Sequence, residues 1–189
     1  ALRVFVVLLV GRVGGVYGTG SAEGAAIWAV LAEVPDPEVP ALSLLDLGVI
    51  RAVHVVSPPK EGRGGVAKID VTPTYTGCPA TALINEMIKA AVTNAGYHDT
   101  SINMVISPAW TTDWITAEGR EKLREYGIAP PVGSAPSGKA ALFGVSPVVT
   151  CPRCSSENTE QVSEFGATAC KAMYRCLACQ EPFEYFKCI

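Results

Sequence analysis

Histidine is scarce: the 189-residue chain has two, His54 and His98, and neither stands near a cysteine. No nucleophile–base motif accompanies them, so the usual parts of acid–base or covalent catalysis are missing. The chain reads as an accessory protein with no evident activity of its own. A dense lysine or arginine run is also absent and the formal net charge is −3, which removes the electrostatic footprint of a nucleic-acid binder. The apolar run Val4–Val10 is too short to cross a membrane. It follows one charged residue, Arg3, and lacks a defined cleavage site, so it is a poor secretory signal. Gly18–Gly24 has the glycines of a dinucleotide loop, but the helix after it soon meets Pro35 and Pro37, leaving no βαβ unit to complete the fingerprint. Residues 1–24 are therefore expected to form a disordered leader that adds nothing to the fold.

Cysteine is plentiful and unevenly placed. Six of the seven fall in residues 151–189. Cys151-Pro-Arg-Cys154 and Cys176-Leu-Ala-Cys179 are two CxxC knuckles separated by 21 residues. Each knuckle offers two thiolates from one tight turn, and together they supply a tetrahedral set of four. This clustering suits metal binding in a reducing compartment better than a secreted disulfide framework. Strand-like pieces at Glu160–Phe165, Ala172–Arg175 and Phe183–Phe186 complete the pattern of a zinc ribbon whose small core needs its metal. Iron in a rubredoxin-like site, or an iron–sulfur cluster, has the same ligand chemistry. Cys170 and Cys188 are extra thiols, read either as buried residues or as a second, transient metal contact.

The seventh cysteine lies in the stretch that organises the remainder, Ile69 to Thr81. Ala67, Ile69 and Val71 alternate with Lys68 and Asp70 as in a half-buried strand. Pro73 and the Thr-Gly cluster end that strand, and Pro79 suits the first turn of a helix running to about Asn94. That helix is expected to bury Leu83, Met87, Ile88, Ala91 and Val92. Cys78 then stands at a helix N-terminus, where a thiol should ionise more easily. The competing reading is a small packing residue at a tight junction. Further elements are a helix at Ala25–Val34, a hairpin from Ile50–Val56 to Val66, a strand at Ser101–Ile106 and a helix from Thr112 to Tyr126 closed by Gly127. His54, alone in its strand, is given no role. Asp36, Glu38 and Asp46 are read mainly as turn caps, with a metal or acid–base cluster as the alternative. Trp110, Asp113 and Trp114 form either a partner-binding rim or a set of core anchors. If the strands before Cys78 and Trp110 are parallel, both turns leave one edge of the sheet.

The fold class is α+β: a small αββαβα two-layer domain over residues 25–128, a linker at 129–149 and a four-cysteine zinc-ribbon domain at 150–189. Asp36-Pro-Glu-Val-Pro through Asp46-Leu-Gly48, and Thr72-Pro-Thr74 through Gly77-Cys-Pro79, resemble the domain of SufT-type iron–sulfur assembly factors. With Pro108-Ala-Trp-Thr-Thr-Asp-Trp-Ile115, Tyr126-Gly-Ile-Ala-Pro-Pro131 and the cysteine tail, the resemblance narrows to the PaaD family of bacterial phenylacetate degradation. It covers about residues 25–189, and the leader departs from it.

The resemblance implies a cytoplasmic maturation factor for the phenylacetyl-CoA ring epoxidase, a multicomponent monooxygenase, with the epoxidase subunits as partners. Cys78 would handle iron or a transient cluster, grouped with Thr72, Thr74 and Asp46. Cys151, Cys154, Cys176 and Cys179 would hold structural zinc. A stoichiometric oxygenase subunit and an iron-containing electron carrier are the alternatives, and a homodimer is compatible with each.

Overall fold

The computed structural model describes residues 17–18, 22–75, 77–133 and 147–187. The chain divides after Trp110 into two compact units. In the first, β2 (Ile50–Ser57) and β3 (Val66–Val71) form the expected antiparallel hairpin. Ala67, Ile69 and Val71 are buried, while Lys68 faces solvent. Reciprocal 2.9 Å backbone bonds between Lys60 and Arg63 fold the connection back on itself. Gly65 is required where that connection passes Tyr97, since a Cβ there would come within 2.6 Å of the ring.

From β3 the chain passes through the Cys78 turn into α2 (Thr81–Asn94) and returns as β4 (Asp99–Met104), parallel to β3. The condition for a shared edge is met: the Cys78 turn and the segment leading to Trp110 both leave the C-terminal ends of neighbouring parallel strands. On the far side, β1 (Tyr17–Gly18) pairs in parallel with β2, giving the order β1-β2-β3-β4. Helix α1 (Ala22–Ala32) packs against β2 and α2. Ile27, Leu31, Ile50, Val53, Ile69, Ile88 and Val92 are fully buried and supply the core of this unit. Among the described residues, no helix is long and apolar enough to cross a membrane.

Several boundaries differ from expectation. The leader does not run unbroken to residue 24: Tyr17 and Gly18 pair with Ala52 and Val53, and α1 begins at Ala22. The pairing gives β2 a neighbour along its outer edge, and the alanines ahead of Ile27 extend the helix towards its start. Val4–Val10 lies outside the described residues. Leu83, expected in the core, is 48 % exposed. Ile84, Ile88 and Val92 form the i, i+4 row that packs inward, and Leu83 falls off it.

In the second unit the expected helix from Thr112 splits. A 3-10 turn at Thr112–Trp114 gives way to extended backbone at Ile115 and Thr116, and α3 spans Ala117–Tyr126. Thr116 Oγ1 accepts the Gly119 N–H at 2.8 Å and caps α3, which ends at Gly127 with φ +91°. Ala129, expected to open the linker, instead ends strand β5 (Ile128–Ala129), parallel to β8 (Pro182–Phe186). With β7 (Lys171–Cys176) and β6 (Thr159–Ser163) the sheet order is β5-β8-β7-β6. The Arg120 guanidinium reinforces this arrangement, donating to the carbonyls of Thr112 and Pro131 at 2.8 Å each. α3 and β5 thus fall in the same compact unit as the ribbon, because the ribbon sheet takes β5 as its fourth strand. Residues 134–146 of the expected linker lie outside the described residues.

Candidate metal centre and cysteine turn

The two knuckles meet. The sulfurs of Cys151, Cys154, Cys176 and Cys179 all lie within 4.8 Å of one another. Cys151 and Cys179 are 3.8 Å apart, and Cys154 and Cys176 are 3.5 Å apart. Four sulfurs about 2.3 Å from one zinc in a tetrahedron stand roughly 3.8 Å apart, so the set has the dimensions of the ion. Each knuckle closes on a residue in the left-handed region, Ser155 at φ 61° and Gln180 at φ 63°. Ser155 N–H bonds the Cys151 carbonyl at 2.9 Å, and Cys179 N–H points at the Cys176 sulfur at 3.4 Å.

The thiols perturb one another strongly. Hydrogen bonds from the Cys179 and Ala178 N–H groups, the former dominant, bring Cys176 down to about 6. Cys154 receives the Ser156 N–H, yet its neighbours Cys179 and Cys176 together with burial push it up to about 12. Four thiols this close cannot all ionise unless a cation balances them, and the two buried sulfurs, Cys151 and Cys176, face the ribbon core. The four-thiolate donor set and its spacing fit a structural zinc, with every tetrahedral position filled by the chain itself. Cys170 stays apart from the set; it is buried, with its sulfur 3.0 Å from Thr168 Oγ1, and takes the packing reading. Cys188 lies outside the described residues.

The Cys78 turn is built differently. Cys78 N–H bonds the Tyr75 carbonyl, and Thr81 N–H bonds the Cys78 carbonyl, both at 3.2 Å. These turns hold the cysteine three residues ahead of α2, so it is not the helix cap; Ala80 occupies that place. Burial pushes the thiol up from its ordinary value, the Ala80 N–H and the Thr81 side chain oppose this, and the carboxylates of Glu38 and Asp36 add to the rise. The expectation of an easily ionised thiol is therefore corrected. Distance from the helix end weakens the dipole term, and two nearby acids oppose a free thiolate. The same acids favour a cation, so an arriving metal ion would meet negative charge and could displace the thiol proton.

Asp36 and Asp46 do cap turns. Asp36 Oδ1 accepts the N–H groups of Glu38 and Val39 at 3.0 and 2.8 Å. Asp46 Oδ2 accepts from the backbone and hydroxyl of Ser43 at 2.8 and 2.9 Å. Trp110 is 3 % exposed and donates its indole N–H to the Leu47 carbonyl at 2.8 Å, which makes it a core anchor and removes it from the expected partner rim. Asp113 is exposed and Trp114 half-buried, both in the second unit. Thr72 is 1 % exposed with its hydroxyl unpartnered, and Thr74 is half-buried. Sequence reasoning missed Thr81, although a hydroxyl three residues beyond Cys78 was a readable signal. It also missed that Glu38 and Asp36 reach the thiol, a long-range effect with no local signature.

Two family models match the chain. One, described as an iron–sulfur cluster assembly protein, covers residues 24–104, and the other, the PaaD zinc beta ribbon domain, covers residues 135–187. A curated Escherichia coli (strain K12) protein, named as the D subunit of "Putative 1,2-phenylacetyl-CoA epoxidase", is 49 % identical over 163 residues, spanning 86 % of this chain and 92 % of that one. The chain belongs to the PaaD family. The Staphylococcus aureus (strain USA300) iron–sulfur protein maturation auxiliary factor SufT is 32 % identical over 84 residues, 44 % of this chain and 88 % of that protein. A crystal structure of a DUF59 domain from Bacillus anthracis is 24 % identical, covering 51 % of this chain and 87 % of that chain at a TM-score of 0.42. PaaD membership brings the iron–sulfur assembly domain and the zinc ribbon together in one chain, in the order the cysteines had suggested.

Proposed function

We propose that this PaaD-family chain is a maturation factor that delivers iron or a nascent iron–sulfur cluster to the phenylacetyl-CoA ring epoxidase. Cys78 is the cargo thiol and the zinc ribbon is structural. One observation carries the reading: Cys78 sits half-buried at the edge of the assembly-type unit, between two hydrogen-bond donors and two carboxylates. That environment disfavours a free thiolate and favours a thiolate paired with a metal ion. The mature ribbon set, by contrast, has no position left for cargo. The name of the Escherichia coli relative supports the epoxidase as partner, and the SufT likeness supports maturation.

Cys78→Ser tests it. Serine keeps the shape of the turn but offers no soft anionic sulfur. In a host that needs this protein to grow on phenylacetate, the variant accumulates as soluble, zinc-loaded protein while the epoxidase lacks activity or part of its metal. Full epoxidase activity with Cys78→Ser would defeat the assignment. The name of the relative also favours a second reading, a stoichiometric subunit. Such a subunit copurifies with the mature epoxidase in constant ratio, whereas a maturation factor does not.

A further inference from the structure

The outer strand of a sheet presents a row of unpaired backbone donors and acceptors, and proteins ordinarily blunt it. Among the described residues the two sheets end in four such strands, and three are blunted. β1 and β5 are two residues long, and β6 carries Glu160 and a register shift between Gln161 and Ser163. β4 has none of these devices. It runs six residues, Asp-Thr-Ser-Ile-Asn-Met, in unbroken parallel register with β3, without proline, glycine, lysine or arginine. Its single charge, Asp99, stands at the first position.

The backbone fixes which groups face outward. Asp99 N–H bonds the Gly65 carbonyl at 3.3 Å, and Val105 N–H bonds the Val71 carbonyl at 2.8 Å. Odd-numbered residues therefore turn their N–H and C=O groups to β3, and Thr100, Ile102 and Met104 turn theirs to the free edge. Side chains alternate between the two faces. Thr100, Ile102 and Met104 share a face with the buried Ala67, Ile69 and Val71. Asp99, Ser101 and Asn103 are exposed on the other face, with Lys68 and Asp70 beside Ser101 and Asn103.

We infer that this edge joins two copies of the chain, β4 pairing antiparallel with β4 of a second copy about a two-fold axis at Ile102. That register gives all three outward residues a partner: Ile102 meets the second copy's Ile102, and Thr100 and Met104 meet each other twice. On the exposed face each Ser101 meets an Asn103. The charges suit the pairing, because the two Asp99 carboxylates stand about 20 Å apart and no like charges are opposed. The 37 % of Met104 that is exposed is then covered by the second copy's Thr100. Antiparallel pairing sends the two Cys78 turns to opposite ends of the joined sheet, so under the function proposed above each copy handles its cargo alone. The interface itself does not depend on that function.

The test uses the full, zinc-loaded chain. Sedimentation equilibrium gives twice the 19.8 kDa of one chain at high concentration, dissociating on dilution. Residue-resolved amide exchange shows the parity: dilution exposes the Thr100, Ile102 and Met104 amides, while those of Ser101 and Asn103 stay protected by β3. Ser101→Lys with Asn103→Lys opposes two lysine pairs across the axis and weakens the dimer roughly tenfold or more. Ser101→Glu with Asn103→Lys sets opposite charges there, leaves each new side chain beside an opposite charge of its own chain (Lys68 and Asp70), and keeps the dimer. Circular dichroism checks that both variants fold. A chain that stays monomeric at every concentration overturns the inference. So does a dimer whose Thr100, Ile102 and Met104 amides exchange as fast as in the monomer, or one that the two charge variants affect alike.

Discussion

In the second unit four cysteine sulfurs lie within 4.8 Å of one another and two of them are buried in the ribbon core, whereas in the first a single half-buried thiol feels two carboxylates. The ribbon supplies its own complete set of ligands, so the metal it fits becomes part of the fold. The cysteine turn offers one thiol, held above its ordinary ionisation range; under the function proposed above it would hold its cargo weakly and exchange it readily. Sulfur chemistry alone does not separate permanent from transient binding. The number of thiols brought together does, four in the ribbon against one in the turn.

The largest effect that would test this contrast is loss of the ribbon's metal. Cys176→Ser leaves three thiols and a broken knuckle, and structural zinc sites hold roughly 10 kcal/mol or more of folding free energy. The variant should bind no stoichiometric zinc and lose the ribbon's tertiary signals by near-ultraviolet circular dichroism, while the first unit still melts cooperatively. Zinc retained at one per chain would break the comparison. The next effect isolates packing from metal within the same unit. Lys171 is buried and bonds Glu184 at 2.8 Å, and Glu184 also accepts the Ala167 N–H at 2.9 Å. Glu184→Ala strands the buried ammonium and should cost about 3 kcal/mol in denaturant melts of the ribbon, with zinc content unchanged.

Cys78 offers a kinetic contrast. Because its thiol is held above the ordinary value of 9.0, iodoacetamide labelling of zinc-loaded protein should still be accelerating past pH 9. A rate that levels off near pH 7 would restore the easily ionised thiol that the sequence suggested. The smallest effect lies on the open side of the first sheet. Burial raises the Asp70 carboxyl, but bonds from Asn103 at 2.9 Å and His54 at 3.1 Å outweigh it and leave the group below its ordinary 3.8. A lowered carboxyl stabilises the folded state above the unfolded value and loses that contribution as pH falls through the folded one. Asp70→Asn should therefore cost under about 1 kcal/mol at pH 7, with the deficit closing below pH 4. A deficit that grows on acidification would reverse the assignment.

Much of this architecture was legible in the chain because the signals were local. CxxC spacing declares a metal knuckle without help from distant residues, and the alternation of Ala67, Ile69 and Val71 declares a strand. Gly127 closes α3 by the chemistry of its own end, although the Thr116 cap that opens it was not read. The misplacements came where a distant partner decided the outcome. Ile128 and Ala129 sit in a proline-rich stretch and become strand because β8 has an edge to offer them. Leu83 is apolar yet exposed because the row of Ile88 and Val92 faces the core and sets the rotation of α2. Trp110 sits among hydroxyls like a binding residue but is buried, because the Leu47 carbonyl, 63 positions away, takes its N–H.

What the amino-acid sequence determined by itself is therefore the inventory: a four-thiolate ribbon, a hairpin followed by a strand–turn–helix around one cysteine, and their order. Only the tertiary structure decided what each thiol experiences. Burial raises Cys78 most, and the carboxylates that add to the rise come from residues forty or more positions earlier. Ionisation and metal preference depend on charges and dipoles within a few ångströms in space, and chain order does not encode those distances until the fold has closed.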